Sequence, residues 1–417
     1  MAKDKLTDYD ATASNNTDVG GISVAEGMLP SGVNNAIREQ MSHLADFASG
    51  TSGVDVLKLQ DDTDTNSIKL QAPASVTADT TFTLPDGDGS ADQVLKTDGA
   101  GQLDWADRHA NPSLIINGGM TISQRGTSET GITSSRYADA PDRHKITVVS
   151  GGTWTASQTT TAPSGFSNSY KLECTATSTN TAMAVRLEHR FEGQNLQHLK
   201  KGTASAESVT LSFWVRSSTT GTYIANLTDL DNTRQISQSY TISTADTWEY
   251  KTLTFAGDTS GVLDNDNGNS LRIEWWLAAG TDYTTGTLQT SWAARVNANQ
   301  AVGQTNLAAT ANNDWYITGA KLEVGSTATD FVHRSYGEEL ALCQRYFESL
   351  PYILTTDGAS GVYQSIGSFN TTKRDAPDIV LVTTIGGSFT AVGIHGFRQI
   401  TNPSSFGGCT ILADAEL

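Results

Sequence analysis

Short runs in which apolar and polar residues alternate recur through residues 111–333, and clusters of Gly, Asn, Asp and Ser separate these runs. Alternation with period two puts every second side chain on the same face of a strand, so each run predicts a strand with one buried face. Many short strands at regular spacing are typical of a β-sandwich or jelly roll. The clearest runs are residues 208–216, 247–255, 271–277 and 315–324. This block is therefore predicted to be a jelly-roll-like β-sandwich, and the chain to be mainly β.

The sandwich block is followed by a short helix and a second β region. Ser335 and Glu338 form a capping-box pattern ahead of Leu340, Cys343 and Phe347, which predicts a connecting helix within residues 335–350 that ends before Pro351. Residues 351–417 then return to strand-like runs with Gly-rich turns, such as 379–382 and 397–400. They predict a small C-terminal β tip domain.

An amphipathic helix is predicted near the N-terminus. Ser31 is expected to cap it, and Val33, Ile37, Met41 and Leu44 recur at spacings of four and three, which places them on one face. The polar segments on either side offer nothing to cover this apolar stripe, so the helix is expected to pack on a partner, either copies of itself or another protein. We favour a cluster of three helices from three chains. Residues 1–29 are polar and lack a sustained period, so they are expected to need a partner to become ordered.

Residues 51–110 alternate in runs of only four to six residues, with Gly-rich turns at 86–89 and 98–101. About fifty residues with so few large apolar side chains cannot close a core within one chain. Strands from several chains wound round a common axis are able to do so, which predicts a short intertwined β shaft.

Composition excludes several classes of function. The 417 residues carry 27 Lys and Arg against 45 Asp and Glu, a net charge of -18, which opposes binding to phosphate backbones and anionic lipid. The three cysteines, Cys174, Cys343 and Cys409, are far apart and form no C-x-x-C pair, so they predict buried thiols rather than a zinc site or a disulfide framework. A signal peptide and a membrane-spanning run are both absent from the sequence, which is expected to be soluble.

Three segments of the sequence resemble bacteriophage tail fibre proteins. Residues 68–105 resemble a shaft module of trimeric phage fibres through the stretches IKLQAP, TLPD and QVLKTDGAGQLDW. Residues 114–126, with LIINGGM and QRG, resemble the opening of a carbohydrate-binding-like sandwich. The most specific segment is 317–347, with ITGAKLEVG, HRSYGEEL and CQRYF, which resembles the segment that closes the sandwich and leads into the tip. The stretch KRDAP at 373–377 extends the resemblance weakly into the tip.

The resemblance implies an elongated homotrimeric fibre that is assembled in the host cytoplasm and becomes part of the virion. Residues 1–50 would attach it to tail hub or adaptor proteins, and the distal domains would recognise a bacterial surface glycan or outer-membrane receptor. The predicted order of domains is attachment arm and trimerising helix 1–50, shaft 51–110, sandwich 111–334, connecting helix 335–350 and tip 351–417.

For such a fibre the informative residues are exposed aromatics, because sugar C–H faces stack on aromatic rings while polar neighbours bond the hydroxyls. In the run 208–216, Leu211, Phe213 and Val215 share one face, which leaves Trp214 and Arg216 on the other. In the run 271–277 the same rule leaves Arg272, Glu274 and Trp276 outward. These residues form a candidate glycan platform. The alternative is that both tryptophans pack against another protomer or under a long loop.

The tip is the first candidate receptor surface and the sandwich face is the second, because a fibre anchored by its N-terminus brings its tip to the cell first. Several of the aromatic candidates in the tip must form its own core. The tip candidates are Tyr352, Tyr363, Phe369, Arg374, His395, Phe397, Arg398 and Phe406.

No metal site, cofactor or catalytic motif is predicted. The loop 264–269 is acidic, but its glycine and the residue at its bidentate position depart from the EF-hand pattern, so a hairpin turn is favoured over a calcium site at Asp264 and Asp266. The sequence has neither a G-x-S-x-G elbow nor an H-E-x-x-H motif, and it has no regular parallel-coil repeats. A non-enzymatic adhesin is expected. The alternatives are a structural virion fibre or connector, such as a head fibre, and a polysaccharide depolymerase.

Overall fold

The structure, a computed structural model, describes residues 8–10, 12–25, 27–49, 56–60, 67–71, 75, 81–89, 93–107, 112–353, 363–381, 388–401 and 408–417. The chain is mainly β, as predicted, and divides into two units, Met1–Arg108 and His109–Leu417. No helix in the described part of the chain has the length and apolarity needed to cross a membrane.

The first unit contains a helix and short hairpins. Its elements are β1 (Asp18–Val19), β2 (Ile22–Ser23), α1 (Pro30–Ser49), β3 (Val56–Gln60), β4 (Ser67–Gln71), β5 (Gln93–Thr97) and β6 (Leu103–Asp107). β3 pairs with β4 and β5 with β6, both antiparallel within the one chain. The predicted winding of several chains stays a prediction.

Helix α1 begins before the predicted cap. Pro30 is its first residue, so Ser31 lies inside the helix and is not its cap. Proline is favoured at this position because it has no N–H to leave unpaired and its fixed φ suits a helix. The predicted apolar stripe is exposed in the single chain at Val33, Ile37, Met41 and Leu44.

Part of the N-terminal arm folds onto α1 beside the apolar stripe, although the sequence predicted no order there without a partner. β1 and β2 form a hairpin, and Val19 is buried with Ala36 of the helix. Gly20, at φ +53°, makes the turn, and any Cβ there would lie 2.5 Å from Cγ of Glu39. The hydroxyl of Tyr9 lies 2.8 Å from Nδ1 of His43. The glycine turn thus lets the arm approach the helix closely enough to bury Val19.

The second unit opens with a β-sandwich. Its elements are β7 (Ser128–Ile132), β8 (Arg136–Tyr137), β9 (His144–Val149), β10 (Thr153–Thr159), β11 (Ser169–Ala176), β12 (Ala184–Glu192), β13 (Val209–Ser217), β14 (Gly221–Asp229), β15 (Arg234–Ile242), β16 (Glu249–Phe255), β17 (Asn269–Ala279), α2 (Thr281–Thr284), β18 (Ala293–Ala294) and β19 (Asp314–Val324). A six-stranded sheet has the order β16-β13-β19-β11-β10-β7, and a seven-stranded sheet has the order β18-β15-β14-β17-β12-β9-β8.

The two sheets bury one apolar core between them. Leu211, Phe213 and Val215 face it from β13, and Ile273, Trp275 and Leu277 face it from β17, as the alternation predicted. Trp154 and Trp315 are also fully buried there. Because successive side chains of a strand point to opposite faces, the neighbours of these residues lie on the two outer faces of the sandwich.

The tip follows a capped helix. Its elements are α3 (Tyr336–Gln344), β20 (Phe347–Ile353), β21 (Tyr363–Ser368), β22 (Asp378–Leu381), β23 (Ser388–Gly393), β24 (Gly396–Thr401) and β25 (Gly408–Asp414). The predicted capping box is present, with Ser335 and Glu338 bonding each other's backbone N–H groups. Phe347 and Pro351 lie in β20, so the helix is shorter than predicted. The tip has two three-stranded sheets, β20-β25-β22 and β21-β24-β23.

Candidate functional site

Trp214 and Tyr250 lie side by side on the outer face of the six-stranded sheet. They are paired residues on the adjacent strands β13 and β16, and their ring centroids are 5.4 Å apart. Tyr250 is 44% exposed and Trp214 is half-buried. Both rings therefore present surface to solvent, as the sequence predicted for Trp214.

A second wall of rings stands beside this pair. Phe166, Phe331 and His333 pack together with centroids 4.9 to 5.2 Å apart. Gly319 of β19 lies beneath them at φ +60°, and a Cβ there would meet the ring of Phe166 at 2.6 Å. A glycine is therefore required at this point, both for the backbone conformation and for the close approach of the phenyl ring.

The two walls enclose a cavity of about 570 Å³, which we call the aromatic pocket. Its rings belong to Phe166, Trp214, Tyr250, Phe331 and His333, and its polar lining includes Thr252, Thr329 and Asp330. A volume in this range accommodates a small ligand, and aromatic rings with a few polar groups are the usual lining of such sites.

The loop that carries Asp330 and Phe331 is tied down by a buried ion pair. Nζ of Lys321 lies 2.9 Å from the Glu323 carboxylate and donates to the Asp330 carbonyl at 3.1 Å. The Thr329 N–H donates to Glu323 at 2.8 Å. These bonds hold the backbone of the loop in position, and Asp330 lines the pocket beside it.

Arg216 lies on the same outer face as Trp214, as predicted, but it already has partners. Its guanidinium donates to the Asp246 carboxylate at 2.8 Å and lies 4.7 Å from the centroid of Tyr316. Trp248 packs edge-on against that tyrosine at 6.2 Å. Aromatic surface thus continues along this face beyond the pocket.

The prediction that Trp276 presents an exposed ring is wrong. It does lie on the outer face of the seven-stranded sheet, but it is fully buried among Ala184, Ile224 and Ala301, with Tyr283 at 5.3 Å. Residues 280–305 cross this face and cover it, as shown by the hydrogen bond from Asn226 to the Gln300 carbonyl at 3.0 Å. Trp276 therefore packs under a long loop, which was the alternative interpretation.

Arg272 and Glu274 are also buried, so the prediction that they bond a receptor is wrong. Glu274 lies 3.0 Å from Arg272 and 2.7 Å from Arg186, and Glu188 completes the network. Burial alone would raise the pKa of Glu188, but Arg186, Arg272 and Arg190 hold it well below its usual range. The two carboxylates are therefore paired with arginines of the fold itself.

Three tip candidates have structural roles instead. Phe369 and Phe397 pack in the core of the tip with centroids 5.7 Å apart. The Arg374 guanidinium donates to the carbonyls of Asn267 at 3.0 Å and Ala415 at 2.9 Å, so it joins the tip to the sandwich. His395, by contrast, is exposed.

The remaining tip candidates are not placed. Tyr352, Tyr363 and Arg398 lie in strands of which only the backbone is described there, and Phe406 lies outside the described residues. They stay predictions.

The acidic loop 264–269 takes part in packing. The Asn267 side chain donates to the Arg374 carbonyl at 2.7 Å, and the Asp266 carbonyl accepts from the N–H of Gln194 at 2.8 Å. Within the described part of the chain no three His, Cys, Asp or Glu side chains gather in a metal-binding arrangement. Cys174 and Cys343 are buried free thiols, as predicted.

Sequence reasoning missed most of the pocket. Tyr250 could have been predicted as an outward-facing ring, because the alternation of residues 247–255 puts Trp248, Tyr250 and Thr252 on the same face. Phe166 and Phe331 come from segments without a strand period, and only the folded chain brings them together.

Neither a protein-family model nor a curated protein sequence matches this chain. Its neighbours among solved structures include a phage tailspike domain and carbohydrate-binding modules. The enzymatically active domain of bacteriophage CBA120 tailspike protein 4 is 12% identical with a TM-score of 0.27, over 51% of this chain and 21% of that one. TmCBM61 in complex with β-1,4-galactotriose is 8% identical with a TM-score of 0.25, over 51% and 98%. A family 11 module from Clostridium thermocellum in complex with a β-1,3-1,4-mixed-linked tetrasaccharide is 12% identical with a TM-score of 0.25, over 50% and 99%.

The match thus spans about a fifth of the tailspike chain and nearly all of each module. The function proposed below rests on the geometry of the aromatic pocket and on the sequence motifs.

Proposed function

We propose that this protein is a non-enzymatic fibre of a phage tail that binds a glycan of the bacterial surface through the aromatic pocket. The observation that carries the proposal is the pair Trp214 and Tyr250, two rings with solvent-facing surface on a rigid sheet, faced by a second wall of rings at Phe166 and Phe331. Such rings stack on the C–H faces of sugars, and the polar groups between them bond hydroxyls. The segments that resemble tail fibres, at 68–105, 114–126 and 317–347, support the assignment to a phage particle.

The rest of the chain has an anchoring role in this proposal. The exposed stripe of α1 joins three copies into a homotrimer, and residues 1–50 hold the fibre to tail hub or adaptor proteins of the virion. The pocket becomes the first candidate receptor site and the tip the second, because two of the aromatic tip candidates lie in the tip's own core.

The test is retention of purified protein on immobilised host surface polysaccharide, with an assay for new reducing ends. We expect retention without cleavage. Release of reducing ends would indicate a depolymerase, and neither retention nor cleavage would indicate a purely structural fibre.

Two variants locate the site. Trp214→Ala and Tyr250→Ala should each weaken retention at least tenfold while the fold is kept, because neither ring is part of the sandwich core. Tyr336→Ala is the matched control, since Tyr336 is 66% exposed on α3 and does not line the pocket. Equal retention by all three variants would contradict the assignment of the pocket.

A further inference from the structure

The aromatic pocket has an electrostatic character that a neutral sugar does not need. Among the described residues that line it, Asp330 is the one acidic residue, and none is Lys or Arg. The nearby ammonium of Lys321 is buried and engaged by Glu323 and by the loop backbone. Apart from His333, the lining of the pocket therefore offers a ligand one acidic residue and no Lys or Arg.

The rings add to this preference. The face of an aromatic ring is negative, so a cation over Trp, Tyr or Phe is attracted to it. Trp214 and Tyr250 on one side and Phe166 and Phe331 on the other enclose the cavity that Asp330 borders. An ammonium group inside would meet ring faces and a carboxylate together.

We propose that the aromatic pocket selects a sugar that carries a protonated amino group, an inference that rests on the glycan-binding function proposed above. The sugar ring stacks on Trp214 and Tyr250, and the ammonium pairs with Asp330. A sugar carboxylate would face Asp330 in a chain of net charge -18, so an acidic glycan is disfavoured.

The experiment compares two oligosaccharides that share one backbone and differ at the C2 nitrogen, which is a free amine in β-1,4-linked glucosamine and an acetamide in its fully N-acetylated counterpart. Binding to the full-length protein is measured by calorimetry at low ionic strength and neutral pH. We expect the amine form to bind at least tenfold more tightly, which corresponds to about 1.4 kcal/mol. Added salt should reduce this preference, because charge pairing is screened.

Asp330→Asn removes the charge and keeps the size of the side chain. The loop should keep its position because Lys321 holds the backbone of Asp330 and not its carboxylate. The variant should bind both oligosaccharides with affinities within about twofold of each other. Asp282→Asn is the control, because Asp282 is exposed and does not line the pocket. It should keep the preference.

The outcomes separate the two proposals. Equal binding of both oligosaccharides by the unchanged protein would overturn amine selectivity while glycan binding stands. A preference that survives in Asp330→Asn would overturn the pairing of the ammonium with Asp330. Retention on host polysaccharide with no binding of either oligosaccharide would overturn amine selectivity as well. No retention on any host glycan would overturn the proposed function itself. Choline, a cation without a sugar ring, is tested as a competitor of the amine oligosaccharide. If choline competes as strongly as a free amino sugar does, the pocket recognises the cation and not the sugar ring, which would overturn the proposal.

Discussion

Asn267 and Arg374 exchange hydrogen bonds between the sandwich and the tip. The Asn267 amide donates to the Arg374 carbonyl at 2.7 Å, and the Arg374 guanidinium donates to the Asn267 carbonyl at 3.0 Å. The same guanidinium also bonds the carbonyls of Ala415 and Glu416. One arginine thus holds the loop 264–269 and the segment after β25 together.

The first prediction follows from this arrangement. Arg374→Ala should loosen the tip, because it leaves three buried or half-buried carbonyls without their charged donor, each such bond being worth about 1.5–3 kcal/mol. Hydrogen exchange of the β25 amides should become at least tenfold faster. Arg136→Ala is the control, since Arg136 makes a single exposed ion pair with Glu129. Unchanged exchange in Arg374→Ala would show that other contacts hold the tip.

The second prediction concerns the covered tryptophan. Trp276→Ala should lower the free energy of unfolding of the sandwich by about 3–5 kcal/mol, because it empties a fully buried site under residues 280–305. Denaturant unfolding measures this change. Binding to host polysaccharide, tested at a temperature where the variant is folded, should be unchanged. A stable variant that fails to bind would restore Trp276 as a receptor residue.

The third prediction concerns pH. Burial lowers the pKa of His144 to about 4, and burial together with His144 and Arg143 lowers the pKa of His189 well below its usual value. The unfolded chain protonates both histidines below pH about 6.5, whereas the folded chain keeps them neutral. The free energy of unfolding therefore falls as pH drops from about 6.5 towards 4.

Asp142 opposes this loss. Burial raises its pKa to about 6, so below that pH the folded chain binds a proton that the unfolded chain does not, which stabilises the fold as pH falls towards 3.8. Because two histidines oppose one carboxyl, the free energy of unfolding still shows a net decrease between pH 6.5 and 4. His189→Gln should flatten the dependence between pH 6.5 and 4, measured by denaturant unfolding, and the exposed His333→Gln should not. If the free energy of unfolding changed equally with pH in the two variants, buried His189 would not be a source of the pH dependence.

The fourth prediction concerns assembly. Light scattering on the full-length protein should give about three times the chain mass of 44.3 kDa. Ile37→Asp with Leu44→Asp should lower that mass, because the change puts charges into the apolar stripe of α1, which is exposed in a single chain. Ser42→Asp, at an exposed position off the stripe, should leave it unchanged. A monomer at micromolar concentration in the unchanged protein would contradict the trimer.

The sandwich was predictable because period-two alternation depends on neighbours in sequence. It placed Phe213 and Trp275 in the core and Trp214 outside it. It did not separate Trp214 from Trp276, since both face outward from their sheets and only one is covered. The cover comes from residues 280–305, a Gly-, Thr- and Asn-containing segment whose position is set by tertiary bonds such as that between Asn226 and Gln300.

The pocket was harder to predict than the fold for the same reason. Its second wall depends on Gly319, which reads in sequence as a break in a strand. The reason for this glycine is visible only in the folded chain, where the ring of Phe166, which is distant in sequence, occupies the space that a side chain at position 319 would need. The prediction that Phe369 and Phe397 of the tip bind a receptor was wrong because a domain with few aromatic residues needs them for its own core.

The return of β25 to the sandwich has a mechanical consequence. The chain enters the tip through β20, directly after α3, and the segment after β25 is gripped by sandwich arginines: Glu416 pairs with both Arg125 and Arg143. The tip is therefore joined to the sandwich at two places, by the chain that leads through α3 into β20 and by the ion pairs of Glu416. A force on the tip is shared between these two connections. A force that separates the tip from the sandwich would therefore have to break both connections.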